Sequence, residues 1–136
     1  MKLLMFHALE FWYKTSRKNL PDTVEVDEEN EFKNSSLIFI HTEEKDENNK
    51  NSVLRKALKN ILWHMRKVGA DKIILHSFAH LSSSKSSPEF AKEVIDWLEM
   101  KIKERNIPVF KTPFGYFLEI KLHVSGESLG RVFKEL

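Results

Sequence analysis

Apolar residues along this chain fall into two periods. Continuous or alternating runs mark strands, and runs spaced three and four apart mark helices. "KLLMFH" (2–7) reads as a buried strand ending at His7, with residues 10–14 continuing it or pairing with it as a hairpin. Residues 15–35 are polar and rich in turn formers ("NLPD", "EENE", "KNSS"), which predicts a loop or a weak edge. "SLIFIHT" (36–42) is apolar and β-branched, a second strand ending at His41. "EEKDENNKNS" (43–52) then reads as a solvated connection, with Ser52 as a helix N-cap.

Leu54, Leu58, Ile61, Leu62, Met65 and Val68 lie on one helical face, and Gly69 sits where a left-handed C-terminal residue belongs. "DKIILHSF" (71–78) is short and continuously apolar, as in a strand covered on both sides. Ser87 and Pro88 start a second helix, cap followed by first-turn proline, whose buried face is Phe90, Ala91, Val94, Ile95, Leu98 and Ile102. "IPVFKT" (107–112) and "YFLEIKLHV" (116–124) read as strands about the turn "PFG", and "SLGRVFKEL" as a short helix or a tail. Two helices crossing between strands predict a layered α/β fold with a mixed sheet. No repeat or interior linker divides residues 1–136, so one domain is expected.

Composition narrows the class. With 41% hydrophobic and 31% charged residues, the chain is globular rather than disordered. No run approaches the roughly 18 apolar residues that span a bilayer, so no membrane partner is expected; a cytoplasmic location is expected, with which the absence of Cys is compatible. The absence of Cys excludes disulfides and thiolate chemistry. A net charge of +2 neither demands nor excludes nucleic acid, because local patches decide.

Ligands of such folds bind where strands lead into helices. "HSFAHLSSSKSSP" (76–88) occupies that position, with His76 and His80 framing Phe78 and five serines following. The scattered histidines have no metal-site spacing, and no metal or other cofactor is expected. The serines adjoin no glycine of a nucleophile elbow, so loop hydrogen bonding and a helix cap account for most of them, with Ser82 or Ser83 in reach of His80. Tyr116 and Phe117 read as strand aromatics, and Trp12, Trp63 and Trp97 as packing residues or dimer contacts.

"AHLSSS" after a buried strand, "PFGYF" downstream of it and the N-terminal "KLLMFH" together resemble the N-terminal editing domain of archaeal threonyl-tRNA synthetases. That family has a D-aminoacyl-tRNA deacylase-like fold. The resemblance implies proofreading of serine esterified to the threonine tRNA, since one methyl group yields only about 1–3 kcal/mol of discrimination. It implies a pocket held largely by main chain, with the ribose 2′-hydroxyl assisting hydrolysis. By position, His80 would orient substrate or water. His41, Thr42, Phe78, Ala79, Phe114, Gly115, Tyr116 and Phe117 would bind the seryl-adenosine end. The implied partners are the aminoacylated tRNA end, a second copy in a homodimer, and a threonyl-tRNA synthetase catalytic subunit.

The chain departs from the family pattern at several places. Leu118 stands where the family has lysine, Ala8 and Leu9 replace serine and aspartate, and Arg131 replaces a glutamate. Lys121, Lys111 or His80 is then the candidate to supply the missing polar group. These changes favour a divergent, free-standing member over an excised domain. They also keep open a D-aminoacyl-tRNA deacylase and a tRNA-end binding or dimerisation module without chemistry.

Overall fold

A computed structural model describes all residues, 1–136. The elements run β1 (Lys2–Lys18), β2 (Glu29–His41), a 3-10 turn (Glu44–Asn48), α1 (Lys50–Val68), β3 (Lys72–Ser77), α2 (Pro88–Lys103), β4 (Val109–Lys111), β5 (Tyr116–Val124) and β6 (Arg131–Glu135). One mixed sheet takes every strand in the order β4-β3-β2-β1-β5, with β6 also on β1. The pairs β2/β3 and β3/β4 are parallel, and the three pairs made by β1 are antiparallel.

Each parallel pair needs a crossover, and α1 and α2 supply them on the same face. Leu54, Ala57, Leu58 and Ile61 of α1 and Val94, Ile95, Leu98 and Ile102 of α2 close on Leu3, Met5, Ile38, Ile40, Ile73, Leu75 and Val109 as the main core. Gly69 has φ +70° and accepts no Cβ penalty where α1 ends, while Ser87 Oγ accepts the Phe90 N–H where α2 begins. Residue 52 is not the cap. The helix starts at Lys50 with Asn49 before it, and Ser52 lies exposed in the first turn.

Two expected irregular regions are strand. Residues 10–14 continue β1, one of the two expected alternatives, so His7 is mid-strand; residues 15–18 and 29–35, expected as loop or weak edge, are strand as well, with pairs from Glu10↔Lys33 to Lys14↔Glu29. The C-terminal segment is β6, paired with β1 from Lys2↔Glu135 to Phe6↔Arg131, and not a helix or tail. At Leu9 and Asn34 (φ +43°) the alternation slips, so that Ala8 and Phe11 both face the second sheet surface. Beyond this slip the long hairpin and β5 lie across that surface. Phe11, Tyr13, Leu118 and Leu122 pack there with Leu37, Phe39 and Ile74 as a second core. The connection at 43–52 is not wholly solvated either. Glu43 and Asp46 are buried, 3.2 and 2.8 Å from the α-amino group of Met1.

Candidate functional site

A cavity of about 390 Å³ opens where the parallel strands end. Its wall is built from the ends of β2 and β3, the loop 79–87, the first turn of α2, the turn 112–115 and the start of β5. Of the expected residues, Thr42, Phe78, Ala79, His80, Phe114, Gly115, Tyr116 and Phe117 line it. His41 does not. It is buried behind the loop, where Nε2–H donates to the Ser84 carbonyl at 2.6 Å and Nδ1 accepts the Leu81 N–H at 3.0 Å. It holds the loop rather than the ligand.

Polar contacts fix the rest of the loop. Thr42 Oγ1 donates to Ser86 Oγ at 2.6 Å, Ser86 Oγ to the Ser87 carbonyl at 2.9 Å, and the Ser86 N–H to the Thr42 carbonyl at 3.0 Å. Ser82 Oγ donates to Glu43 at 3.2 Å, so it braces the loop on the 3-10 turn and does not hold His80. The His80 ring meets Phe78 edge-on, centroids 5.2 Å apart, and both of its nitrogens are left for a ligand. The loop N–H groups of Ala79 and His80 also donate to no other residue.

The opposite wall is fixed by Gly115. Its φ is +83°, and a Cβ there would stand 2.3 Å from Thr23 Oγ1. Its carbonyl accepts the N–H groups of Asn19 and Leu20 at 2.6 and 3.3 Å, which ties the turn to the β1–β2 connection. Tyr116 Oη accepts the Val26 N–H at 2.7 Å and donates to the Val24 carbonyl at 2.9 Å. Phe117 is exposed, with Arg17 5.2 Å from its ring centroid.

Three lining residues were missed or misjudged from sequence. His76 packs tilted against Phe39, ring centroids 4.7 Å apart, and bonds Thr112 Oγ1 at 2.9 Å, and burial lowers its pKa to about 4. It therefore faces the cavity uncharged. Lys85, read as part of a loop, is the cavity's one cation and forms no ion pair. Asn19 joins from the β1–β2 connection. Of the three expected substitutes for the family lysine, His80 lines the cavity and the two lysines lie elsewhere. Lys111 is held by Asp96 and Glu99 at 2.9 and 3.3 Å, and Lys121 sits 5.0 Å from the Trp12 ring. Leu118 lines the cavity and packs into the second core, while Ala8 and Leu9 lie outside it.

No Asp or Glu lines this cavity. Hydroxyls of Thr42, Ser77, Ser86, Ser87 and Thr112, two histidines and unpaired main-chain N–H groups face it, beside the N-terminus of α2. Such a lining suits a polar, electron-rich group more than a cation or a metal ion. An adjacent groove of about 580 Å³ shares Leu20, Pro88, Thr112, Pro113 and Phe114 with it, but carries Asp22, Glu28, Glu89 and Asp96 beside Lys92 and Lys111, a mixed lining with a net negative balance. His7, His41, His64 and His76 each bond a different partner and form no metal cluster with carboxylates.

The architecture is shared with the c-Myc DNA Unwinding Element Binding Protein, at a TM-score of 0.74 and 12% identity over 100% of this chain and 99% of that one. It is the D-aminoacyl-tRNA deacylase-like layered fold. The threonine–tRNA ligase of Hyperthermus butylicus is 33% identical over 97% of this chain, and that of Staphylothermus marinus 34% identical over all of it. The ligase of Methanosphaera stadtmanae is 30% identical over 100%. This chain spans 22% of the length of each. The family model described as the archaea-specific editing domain of threonyl-tRNA synthetase matches residues 1–136, and the chain belongs to that family.

Proposed function

We propose that the cavity takes the aminoacylated 3′ end of a tRNA and hydrolyses serine from mischarged threonine tRNA. The observation that carries this is a carboxylate-free pocket with unpaired N–H groups at Ala79 and His80, in a chain of the synthetase editing family. With no carboxylate present, the wall offers no carboxylate general base, and burial, which lowers the His76 pKa to about 4, leaves that imidazole a weak base. Water is then positioned by His80 and by the ribose hydroxyl next to the ester. It adds to the ester carbonyl, which the free N–H groups and the Lys85 ammonium already hold in the bound state and whose developing negative charge they then meet. The bond to the ribose oxygen breaks as that oxygen takes a proton given up by the added water, so serine leaves as the free acid and the tRNA recovers its hydroxyl. Thr42 and Gly115 shape the seryl pocket, and Phe78, Phe114, Tyr116 and Phe117 offer faces on which adenine stacks.

This reading predicts where an uncleavable substrate mimic lands. An adenosine carrying serine through an amide should shift the backbone NMR signals of Ala79, His80 and Gly115, and leave those of α1 alone. Shifts confined to other regions contradict it. A second reading, a tRNA-end binding module without chemistry, is favoured by Leu118, whose side chain offers no polar group where the family has lysine. The same mimic bound without any hydrolysis of the ester selects it.

A homodimer also follows from this reading. Phe133 is half-exposed on β6, next to the half-buried Leu4 and Phe6, and β6 pairs only with β1. Phe133, Leu4 and Phe6 form an apolar patch on one sheet face beside a charged edge strand, and a second copy would cover that patch. Phe133→Glu should yield monomers in light scattering, and an unchanged mass contradicts that interface. In a synthetase, residues 1–136 would act as one editing unit beside the catalytic subunit.

A further inference from the structure

Helix α1 carries Lys50, Arg55, Lys56, Lys59, Arg66 and Lys67 and no acidic residue. Helix α2 instead mixes Lys92, Lys101 and Lys103 with Glu89, Glu93, Asp96 and Glu99. Of the α1 cations only Lys50 meets a carboxylate, that of Glu93. The other five are exposed and unpaired. At 100° per residue, Arg55, Lys59 and Arg66 fall within about 40° of one another, and Lys56 and Lys67 form a second line about 80–100° away. The patch is about 18 Å long. Half-buried Trp63 lies between the lines, with Lys134 of β6 5.6 Å from its ring centroid.

In a chain of net charge +2, such a concentration on one face repels itself until an anion of matching length covers it. A bilayer fits poorly, because Val53, Leu54, Ala57, Leu58, Ile61 and Leu62 are committed to the core and cannot insert. A nucleic-acid backbone fits well, since a duplex offers roughly ten phosphate charges over that length. The position agrees. α1 starts at the end of the sheet where β2 stops and the cavity opens, so along the helix axis Arg55, Lys56 and Lys59 are nearer that end than Arg66 and Lys67, although no α1 residue lines the cavity itself.

We propose that the outer face of α1 is a docking track for the phosphate backbone of an RNA helix, the body of the tRNA whose 3′ end the cavity takes. The identity of that RNA rests on the editing reading above, but the track itself does not. RNA held along α1 would present its end to the cavity at a fixed distance.

The test uses the 136-residue chain and a variant with Arg55→Ala, Lys59→Ala, Arg66→Ala and Lys67→Ala, substitutions that raise helix propensity and touch no core residue. Binding of uncharged tRNA is measured across roughly 50–200 mM salt. The variant should lose at least tenfold in affinity, and the slope of log affinity against log salt should shrink by about 3. Hydrolysis of a serine ester of adenosine alone should be unchanged, and Lys101→Ala with Lys103→Ala should leave the slope intact. Wild-type affinity and slope in the variant overturn the proposal. So does a wild-type chain that binds poly-L-glutamate or phosphatidylserine vesicles through the same residues more tightly than tRNA. If the fourfold variant unfolds, Arg55→Gln with Arg66→Gln is read the same way, with a slope change of about 1.5. Loss of tRNA affinity without any ester hydrolysis in the wild type keeps the track and sinks the editing reading. Ester hydrolysis with unaltered tRNA binding does the reverse.

Discussion

The imidazole of His41 bridges two turns of the cavity loop, with Nε2–H on the Ser84 carbonyl at 2.6 Å and Nδ1 on the Leu81 N–H at 3.0 Å. The ring is buried, so either bond, once lost, leaves a polar group without water. His41→Ala is expected to cost roughly 2–4 kcal/mol of stability from two unsatisfied backbone groups and a void. His41→Gln, which keeps one bond, should cost about half as much. Chemical denaturation checks the order, and equal stability of all three proteins contradicts the bracing role.

Acid stability should change in two windows. His76 has its pKa lowered by burial to about 4, so between the unfolded value near 6.5 and about 4 the unfolded chain binds more protons. Its contribution is complete above pH about 6.5 and is lost as pH falls toward 4. Burial pushes the Glu43 carboxyl up, but Lys2 and the Met1 ammonium outweigh it and hold the pKa at about 2. That contribution is complete above about 4.5 and is lost as pH falls toward 2. His76→Gln should flatten the stability curve in the upper window alone, and Glu43→Gln in the lower alone. Denaturation midpoints against pH decide, and a curve unaltered by either change refutes these assignments.

Gly115→Ala should be among the most damaging single changes on the cavity wall. The left-handed backbone costs an L-residue about 1–2 kcal/mol, and the new Cβ would overlap Thr23 Oγ1. Thr23→Gly in the same chain should recover the steric part and not the conformational part. Melting temperatures of the single and double variants measure the split, and a Gly115→Ala protein as stable as the parent contradicts the geometry.

Lys85 is exposed, and its removal should leave the fold intact. Lys85→Ala is expected to weaken binding of the seryl-adenosine mimic about tenfold, the worth of one charge-assisted hydrogen bond. Lys111→Ala and Lys121→Ala should not weaken it. Titration calorimetry on the three variants tests this, and equal affinities would return the role to another group.

Both helices were legible in the sequence because their apolar positions repeat every three or four residues and Gly69 and Ser87–Pro88 mark ends. The last residues of β1 and the start of β2 were not. Their outward positions are Lys14, Arg17, Glu29, Glu31 and Lys33, and polar side chains on a strand read locally like a loop. β6 has Val132 as its one residue packed on the main core, too little to set a period. Burial of Glu43 and Asp46 depends on the Met1 ammonium, far away in sequence and brought beside them by the Lys2↔His41 register, which no local pattern encodes. The cavity residues were legible as the two motifs, "FAHL" and "PFGYF". Lys85 was not, because its place depends on how Thr42 and His41 fold the serine loop.

The most direct measurement is single-turnover release of the amino acid from seryl- and threonyl-tRNA(Thr), with a D-aminoacyl-tRNA beside them, for the parent chain and His80→Ala. The account predicts fast loss of serine with threonine and the D-amino acid spared, slowed roughly tenfold to a hundredfold in the variant. Release of serine no faster than in buffer, or release that His80→Ala leaves untouched, would contradict it.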